Sequence, residues 1–265
     1  MDLHTVTGYR AARTPADLAL GPGEHLLAGG TWLFSDPQPD VTGLVDLTTM
    51  GWPSLEDGAA GLRIAATCTI AELAAYSGDW RAQPLFFQSA SALLASFKVW
   101  NVATVGGNIC RGYAAAAMTS LCSALDGVAE VWMPDGDVYR VPVADLATGN
   151  GTTALRPGEV LRAVELPAHA LRARTALRRI ALAELGRSGA VVIGRVDEGG
   201  AAVFSVTAAT LSPGILRYDE LPDAAALRAD VERLGGYYTD PLGAADWRRQ
   251  VAAELAEEIR VELAS

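Results

Sequence analysis

Two glycine-centred stretches constrain the fold of this chain more than any other feature. The first runs from Leu26 to Leu33 (LLAGGTWL), and the second runs from Asn101 to Cys110 (NVATVGGNIC). Because glycine lacks a Cβ atom, its backbone N–H can approach a ligand closely. Consecutive N–H groups form a concavity that binds anions. A single Gly-Gly pair is most often a turn, but two such stretches predict that one diphosphate group is gripped from two sides.

Composition and charge exclude several classes of protein. The chain has 265 residues, of which 50% are hydrophobic and 20% are charged, so it is long and apolar enough for a globular core. The net charge of −10 argues against a nucleic-acid partner, whose phosphates it would repel. No apolar run reaches the length of a membrane span, and the N-terminus lacks a signal-peptide pattern. We therefore expect a cytoplasmic protein.

The familiar metal and nucleotide motifs are missing from the sequence. The three cysteines, Cys68, Cys110 and Cys122, are too few and too widely spaced for a disulfide framework, a zinc site or a four-cysteine iron–sulfur cluster. The only lysine, Lys98, does not belong to a Walker A loop, and no strand is followed by Gly-x-Gly-x-x-Gly. We therefore expect no metal ligands in this chain and no Rossmann-type nucleotide site.

Helix and strand signals alternate along the chain. Thr69 and Glu72 form a capping box, which predicts the start of a helix. Apolar spacing predicts one helix over 85–99 that leads into the second glycine stretch. A Pro-Asp-Gly turn at 134–136 predicts a β-hairpin of 128–132 with 138–141. The other predicted helices are 15–20, 118–125 and a C-terminal helix through Trp247, Val251, Leu255 and Ile259, and the other predicted strands are 25–28, 45–47, 62–65, 160–166, 177–181, 190–196 and 201–210.

Three segments together carry a resemblance to a known family. The two glycine stretches and the segment from Pro157 to Pro167 (PGEVLRAVELP) occur in the order and spacing of the flavoprotein subunit of molybdenum hydroxylases. This family includes the flavoprotein subunits of xanthine dehydrogenase and carbon monoxide dehydrogenase, and the resemblance covers essentially the whole chain. It implies an α+β fold with a two-lobed FAD-binding domain over residues 1–168, whose lobes are about 1–55 and 56–168. A C-terminal domain over 172–265, with a three-stranded sheet and helices, is expected to follow.

The resemblance also implies which residues bind FAD. Leu161 matches a hydrophobic contact to the cofactor, and either Arg174 or Arg178 falls where relatives place a basic residue. For these arginines, a solvated strand face is an equally good interpretation. The residues that match the two diphosphate-binding stretches are Leu26, Leu27, Ala28, Gly29, Gly30, Thr31, Trp32 and Leu33 in the first, and Thr104, Gly106, Gly107, Asn108 and Cys110 in the second.

The sequence departs from the family pattern at two important places. Ala117 stands where relatives carry an aspartate that helps to bind the cofactor, and Trp32 stands where a small or acidic residue is common. Loss of one acidic contact costs about 1.5–3 kcal/mol if nothing replaces it. We expect that Trp32 or Tyr113 compensates by stacking on a ring.

The function implied by the resemblance is electron transfer by a subunit. FAD is expected to be bound non-covalently, and electrons are expected to reach it from two iron–sulfur clusters and to leave to an acceptor. The molybdenum cofactor and the [2Fe-2S] clusters are expected only on partners, namely a large molybdenum-cofactor subunit and a small iron–sulfur subunit. Two alternatives stay open, a free-standing FAD oxidoreductase and a scaffold of the same fold that has lost its flavin.

Overall fold

The computed structural model describes residues 3–265 and has mixed helix and strand elements, as predicted. Its described residues form sheets of three, five and four strands and a two-stranded hairpin. The α+β class is thereby confirmed. No helix among residues 3–265 combines the length and the apolar composition that crossing a bilayer requires.

The first sheet is small and parallel, and one of its strands leads into the first glycine stretch. Its strands are β1 (Gly8–Ala11), β2 (Glu24–Leu27) and β3 (Gly43–Asp46), in the order β1-β3-β2. The central strand β3 is buried along its whole length, as expected for a strand that begins with Gly-Leu-Val and has a parallel neighbour on each side. Strand β2 ends at Leu27, so the chain leaves the sheet directly into Ala28 and the Gly-Gly pair.

The second sheet is antiparallel and forms the floor of the main core. Its order is β4-β5-β10-β6-β7, and a β-bulge in β10 lies between Leu161 and Ala163. A hairpin of two short strands, β8 and β9, precedes β10. The strands are β4 (Leu55–Gly58), β5 (Gly61–Ala65), β6 (Val128–Trp132), β7 (Val138–Pro142), β8 (Ala147–Gly149), β9 (Thr152–Thr153) and β10 (Val160–Pro167).

Short helices cover the apolar face of the second sheet. They are α1 (Ile70–Ala74), α2 (Pro84–Ala92), α3 (Phe97–Trp100), α4 (Val105–Cys110), α5 (Ala117–Ala124), α6 (Val143–Leu146) and α7 (Ala168–Leu171).

The capping box at α1 is confirmed, because the Thr69 side chain accepts from the Glu72 N–H. The single helix predicted over 85–99 is wrong, because Leu94 adopts a φ of +53° and Ser96 is extended. The chain therefore turns between α2 and α3 and does not continue as one helix.

The C-terminal sheet has four strands and packs against two helices. Strands β11 (Arg174–Ile180), β12 (Ala190–Val196), β13 (Ala202–Thr207) and β14 (Gly214–Tyr218) lie in chain order, and the helices are α8 (Ala224–Arg233) and α9 (Ala245–Ala264). The predicted count of three strands is therefore corrected to four. The missed strand, β14, begins in a Ser-Pro-Gly sequence that is typical of a turn. It pairs only with β13, so it is an edge strand, where turn residues are tolerated.

A group of charges around the buried Arg195 joins the C-terminal sheet to the end of α5. Asp126, just after α5, accepts hydrogen bonds from Arg195 of β12 and Arg217 of β14. Arg195 is 1% exposed, and it also donates to the Ala124 carbonyl oxygen at 2.7 Å. Since an unpaired buried charge is costly, this arrangement fixes the end of α5 against the C-terminal sheet.

Candidate functional site

The structure brings the two glycine stretches into direct contact. A Cβ atom added at Gly29 would overlap the carbonyl oxygen of Val102 and would lie 3.0 Å from the Cα atom of Ala103. Gly30 has a φ of +67°, and its carbonyl oxygen accepts from the Phe34 N–H at 2.8 Å, which turns the chain away again. Only a residue without a side chain fits at position 29, so glycine there permits the close approach of the two stretches.

The first stretch provides a run of unused backbone donors. Within the described chain, the six consecutive N–H groups of residues 28–33 make no hydrogen bond, although these residues are half-buried. N–H groups that no protein acceptor uses are left to bind water or a ligand. Consecutive N–H groups without a protein acceptor are the kind of donors that bind the oxygen atoms of an anionic group.

The second stretch is a helix, which the sequence interpretation missed. Residues 105–110 form α4, and Thr104 is its N-cap, with its hydroxyl oxygen accepting from the Gly107 N–H at 3.0 Å. The N–H groups of Val105 and Gly106 donate to the carbonyl oxygens of residues 68 and 66. The hypothesis that both stretches offer free N–H groups is therefore corrected, because the first three donors of α4 are used internally.

The two glycines of α4 have different surroundings. A Cβ atom at Gly106 would lie 2.7 Å from the carbonyl oxygen of Ala66, so this glycine allows α4 to pack against the end of β5. Gly107 is exposed, and among residues 3–265 the only atom within 4 Å of an added Cβ is the Thr104 hydroxyl oxygen, at 2.9 Å. Gly106 therefore serves packing, whereas Gly107 leaves the outer face of α4 open.

Asn108 and Cys110 complete the second stretch. The side-chain oxygen of Asn108 accepts from the Met118 N–H at 2.8 Å, which caps the start of α5 in place of the apolar Ala116. Its side-chain NH₂ group makes no hydrogen bond within residues 3–265. The Cys110 side chain packs against the main core, and burial raises the pKa of its thiol to about 12.

An arginine that the sequence interpretation missed joins the first stretch to the residues just after the second. The guanidinium carbon of Arg111 lies 3.8 Å from the ring centroid of Trp32 and 4.1 Å from that of Tyr113. One of its nitrogens donates to the Tyr113 hydroxyl at 2.7 Å. The buried Nε of Arg111 and the buried indole Nε1 of Trp32 have no hydrogen-bond partner among the described residues.

The remaining predicted residues are not all close to the glycine stretches. Leu161 is 3% exposed and belongs to the same core cluster as Val105 of α4. Ala117 opens α5 and is 4% exposed. Arg174 lines a cavity of about 230 Å³ between α2, β11 and α9, and the lining contains no residue of either glycine stretch. Arg178 instead forms ion pairs with Glu258 and Glu262 of α9.

The donors at the first glycine stretch and Arg111 fit a diphosphate better than a metal ion. Residues 3–265 contain no group of three or more His, Cys, Asp or Glu side chains placed to hold a metal ion. The groups present are the free N–H groups of residues 28–33, the Arg111 guanidinium and the rings of Trp32 and Tyr113. Free N–H groups and a guanidinium are what phosphate oxygens require. The fold and these donors are those expected of a protein that binds a phosphate-bearing cofactor.

The comparisons with known proteins identify the family. Residues 10–169 match the family described as the FAD binding domain in molybdopterin dehydrogenase. This chain belongs to that family and contains its FAD-binding domain, which confirms the resemblance inferred from the glycine stretches. It is 34% identical over 170 residues to the xanthine dehydrogenase FAD-binding subunit of Escherichia coli O157:H7, and the alignment covers 60% of this chain and 57% of that subunit.

Solved structures show the same fold over the whole chain. Quinoline 2-oxidoreductase from Pseudomonas putida 86 matches with a TM-score of 0.83 and 22% identity, covering 100% of this chain and 98% of that one. A reconstituted CO dehydrogenase from Oligotropha carboxidovorans matches with a TM-score of 0.83 and 23% identity, covering 99% and 98%. At this identity the likeness shows the fold alone.

Proposed function

We propose that this chain is the FAD-binding subunit of a molybdenum-containing hydroxylase or dehydrogenase. In this role it passes electrons from iron–sulfur clusters through FAD to an acceptor, as an oxidoreductase. The observation that carries the proposal is the set of six unused N–H groups at residues 28–33, in a segment whose Gly29 contacts Val102 just before α4, within a domain of the FAD-binding family.

The chain's own residues bind and orient the cofactor. In the proposal, the N–H groups of residues 28–33 hold the diphosphate, and the exposed Gly107 leaves room for it beside α4. The free NH₂ group of Asn108 is a further donor, since the Asn108 oxygen is already fixed by α5. When bound, FAD supplies the redox chemistry. No acid–base side chain is required for that step.

The cofactor is held without a covalent bond. Covalent flavin attachment needs a nucleophilic side chain, and Cys110 is the only cysteine within the two stretches. Because burial raises the pKa of its thiol to about 12, this side chain is protonated at neutral pH and is a poor nucleophile.

The resemblance to this family supports partner subunits that carry the other redox centres. We propose a large subunit with the molybdenum cofactor and a small subunit with two [2Fe-2S] clusters, in a cytoplasmic complex. Exposed apolar side chains near the second glycine stretch support a surface that a partner covers, since Phe97 is 71% exposed and Phe87 is 57% exposed. The division into 1–168 and 172–265, and the cofactor roles of Leu161 and Arg174, are parts of the same proposal.

The proposal is tested by reconstitution. The chain is expressed alone, loaded with FAD and assayed with candidate substrates, and the assay is repeated with the large and small subunits present. We expect a yellow chain that turns over substrate only in the complex. A chain that takes up no flavin would support the scaffold alternative, and full turnover by the isolated chain would support the free-standing oxidoreductase.

A further inference from the structure

Arg111 differs from the fully buried arginines of this protein in how its donors are used. Arg195 donates to two carboxylates and a carbonyl oxygen, and Arg248 donates to one carboxylate and three carbonyl oxygens. Arg111 makes a single side-chain hydrogen bond, to the Tyr113 hydroxyl, and no carboxylate within residues 3–265 pairs with it. Its Nη1 also makes no hydrogen bond among the described residues and, unlike the buried Nε, is accessible to a ligand.

Two aromatic rings hold this guanidinium in one place. Trp32 belongs to the first glycine stretch, while Arg111 and Tyr113 follow α4, so the contact spans about 80 residues of sequence. Cation–π contacts of this kind attract and orient a guanidinium. The segment is fixed further by the β8–β9 hairpin, because the Gly151 N–H donates to the Gly112 carbonyl oxygen at 2.7 Å.

The location of Arg111 indicates the chemistry of its missing partner. Trp32 lies within residues 28–33, so the guanidinium contacts a side chain of the segment that carries the six unused N–H groups. Arg162 and Arg249 also have a buried nitrogen without a partner, but they stack on Trp52 and Tyr237, whereas Arg111 stacks on a residue of the first glycine stretch. A guanidinium binds two phosphate oxygens at once through its planar fork, and backbone N–H groups bind the others.

We propose that Arg111 binds the diphosphate of the cofactor and that Trp32 and Tyr113 position its guanidinium. This inference rests on the proposed FAD site and assigns to Arg111 the recognition of the diphosphate. Ligands with the diphosphate, such as FAD and ADP, should depend on Arg111, whereas riboflavin, which has no phosphate, should not.

The test is the affinity of the full chain for FAD, ADP and riboflavin, measured by titration of protein freed of flavin. Arg111→Ala should weaken FAD and ADP by about 10- to 100-fold, the loss of one charge-assisted contact, and should leave riboflavin unchanged. Arg111→Lys, which retains the charge but not the fork, should fall between wild type and Arg111→Ala. Arg156→Ala serves as the matched control, because Arg156 is exposed and lies outside both stretches.

Riboflavin binding and the thermal unfolding midpoint report whether each variant is folded. Unchanged FAD and ADP affinity in Arg111→Ala would overturn the assignment, and so would an equal loss for riboflavin in a variant that unfolds at the wild-type temperature. If wild type bound none of the three ligands, the proposed function and this assignment would fall together. Binding of FAD by wild type with no effect of Arg111→Ala would overturn the assignment alone.

Discussion

Replacement of Gly107 by valine tests the cofactor site where the structure leaves room for a side chain. Gly107 is exposed, and an added Cβ atom would lie near the Thr104 hydroxyl oxygen alone, at 2.9 Å. The valine methyl groups would therefore enter the open space beside the first turn of α4. If the diphosphate lies there, the variant folds and loses the cofactor.

The expected magnitudes separate the effect on binding from the effect on folding. Disturbance of the Thr104 cap costs about 0.5–2 kcal/mol of stability, which a domain of ordinary stability tolerates. Displacement of the diphosphate from two charge-assisted hydrogen bonds costs about 3–6 kcal/mol of binding free energy. That loss corresponds to about 100- to 10,000-fold in the dissociation constant of FAD.

The assay is titration of flavin-free protein with FAD, followed by the change in flavin fluorescence, together with thermal unfolding. Gly235→Val is the matched control, because Gly235 is also exposed and an added Cβ atom there meets nothing within 4 Å. We expect the control to bind FAD as wild type does. A folded Gly107→Val variant with wild-type affinity would show that the diphosphate does not lie against α4.

Three further predictions concern packing, pH and thiol chemistry. Gly29→Ala should lower both the unfolding temperature and the FAD affinity, because its methyl group would overlap the Val102 carbonyl oxygen; wild-type behaviour in both would refute the contact. Burial raises the pKa of Asp126, but hydrogen bonds from two arginines, one of them Arg195, outweigh it and lower the pKa to about 2. Since this pKa is depressed in the folded state, the ionised Asp126 stabilises the fold above about pH 4, and this contribution to the free energy of unfolding should decline by about 2 kcal/mol toward pH 2. In acid unfolding of Asp126→Asn, that part of the decline should be absent. Burial raises the pKa of the Cys122 thiol to about 12, so a thiol reagent at neutral pH should label Cys122 only in the unfolded protein; rapid labelling of the native protein would contradict its burial.

The approach of the two glycine stretches could be predicted from sequence, because it depends on local features of the chain. Gly29 and Gly30 follow a short apolar strand, and this order alone indicated a backbone that approaches a ligand or another segment. The structure shows the approach, at Val102.

Other features depend on contacts between distant residues. Helix α4 was missed because two adjacent glycines disfavour a helix by about 1 kcal/mol each. Its first N–H groups are held by the carbonyl oxygens of residues 68 and 66, which local sequence does not show. Arg111 was missed for the same reason, since only the fold places it on Trp32.

The central claim is that the N–H groups of residues 28–33 bind the cofactor. Amide hydrogen exchange measures this directly, because these N–H groups make no hydrogen bond within the described chain before the cofactor binds. We predict that FAD slows exchange strongly at residues 28–33. It should do so much less at residues 105–107, whose N–H groups already have protein acceptors. Unchanged exchange at residues 28–33 in the FAD-saturated protein would contradict the account.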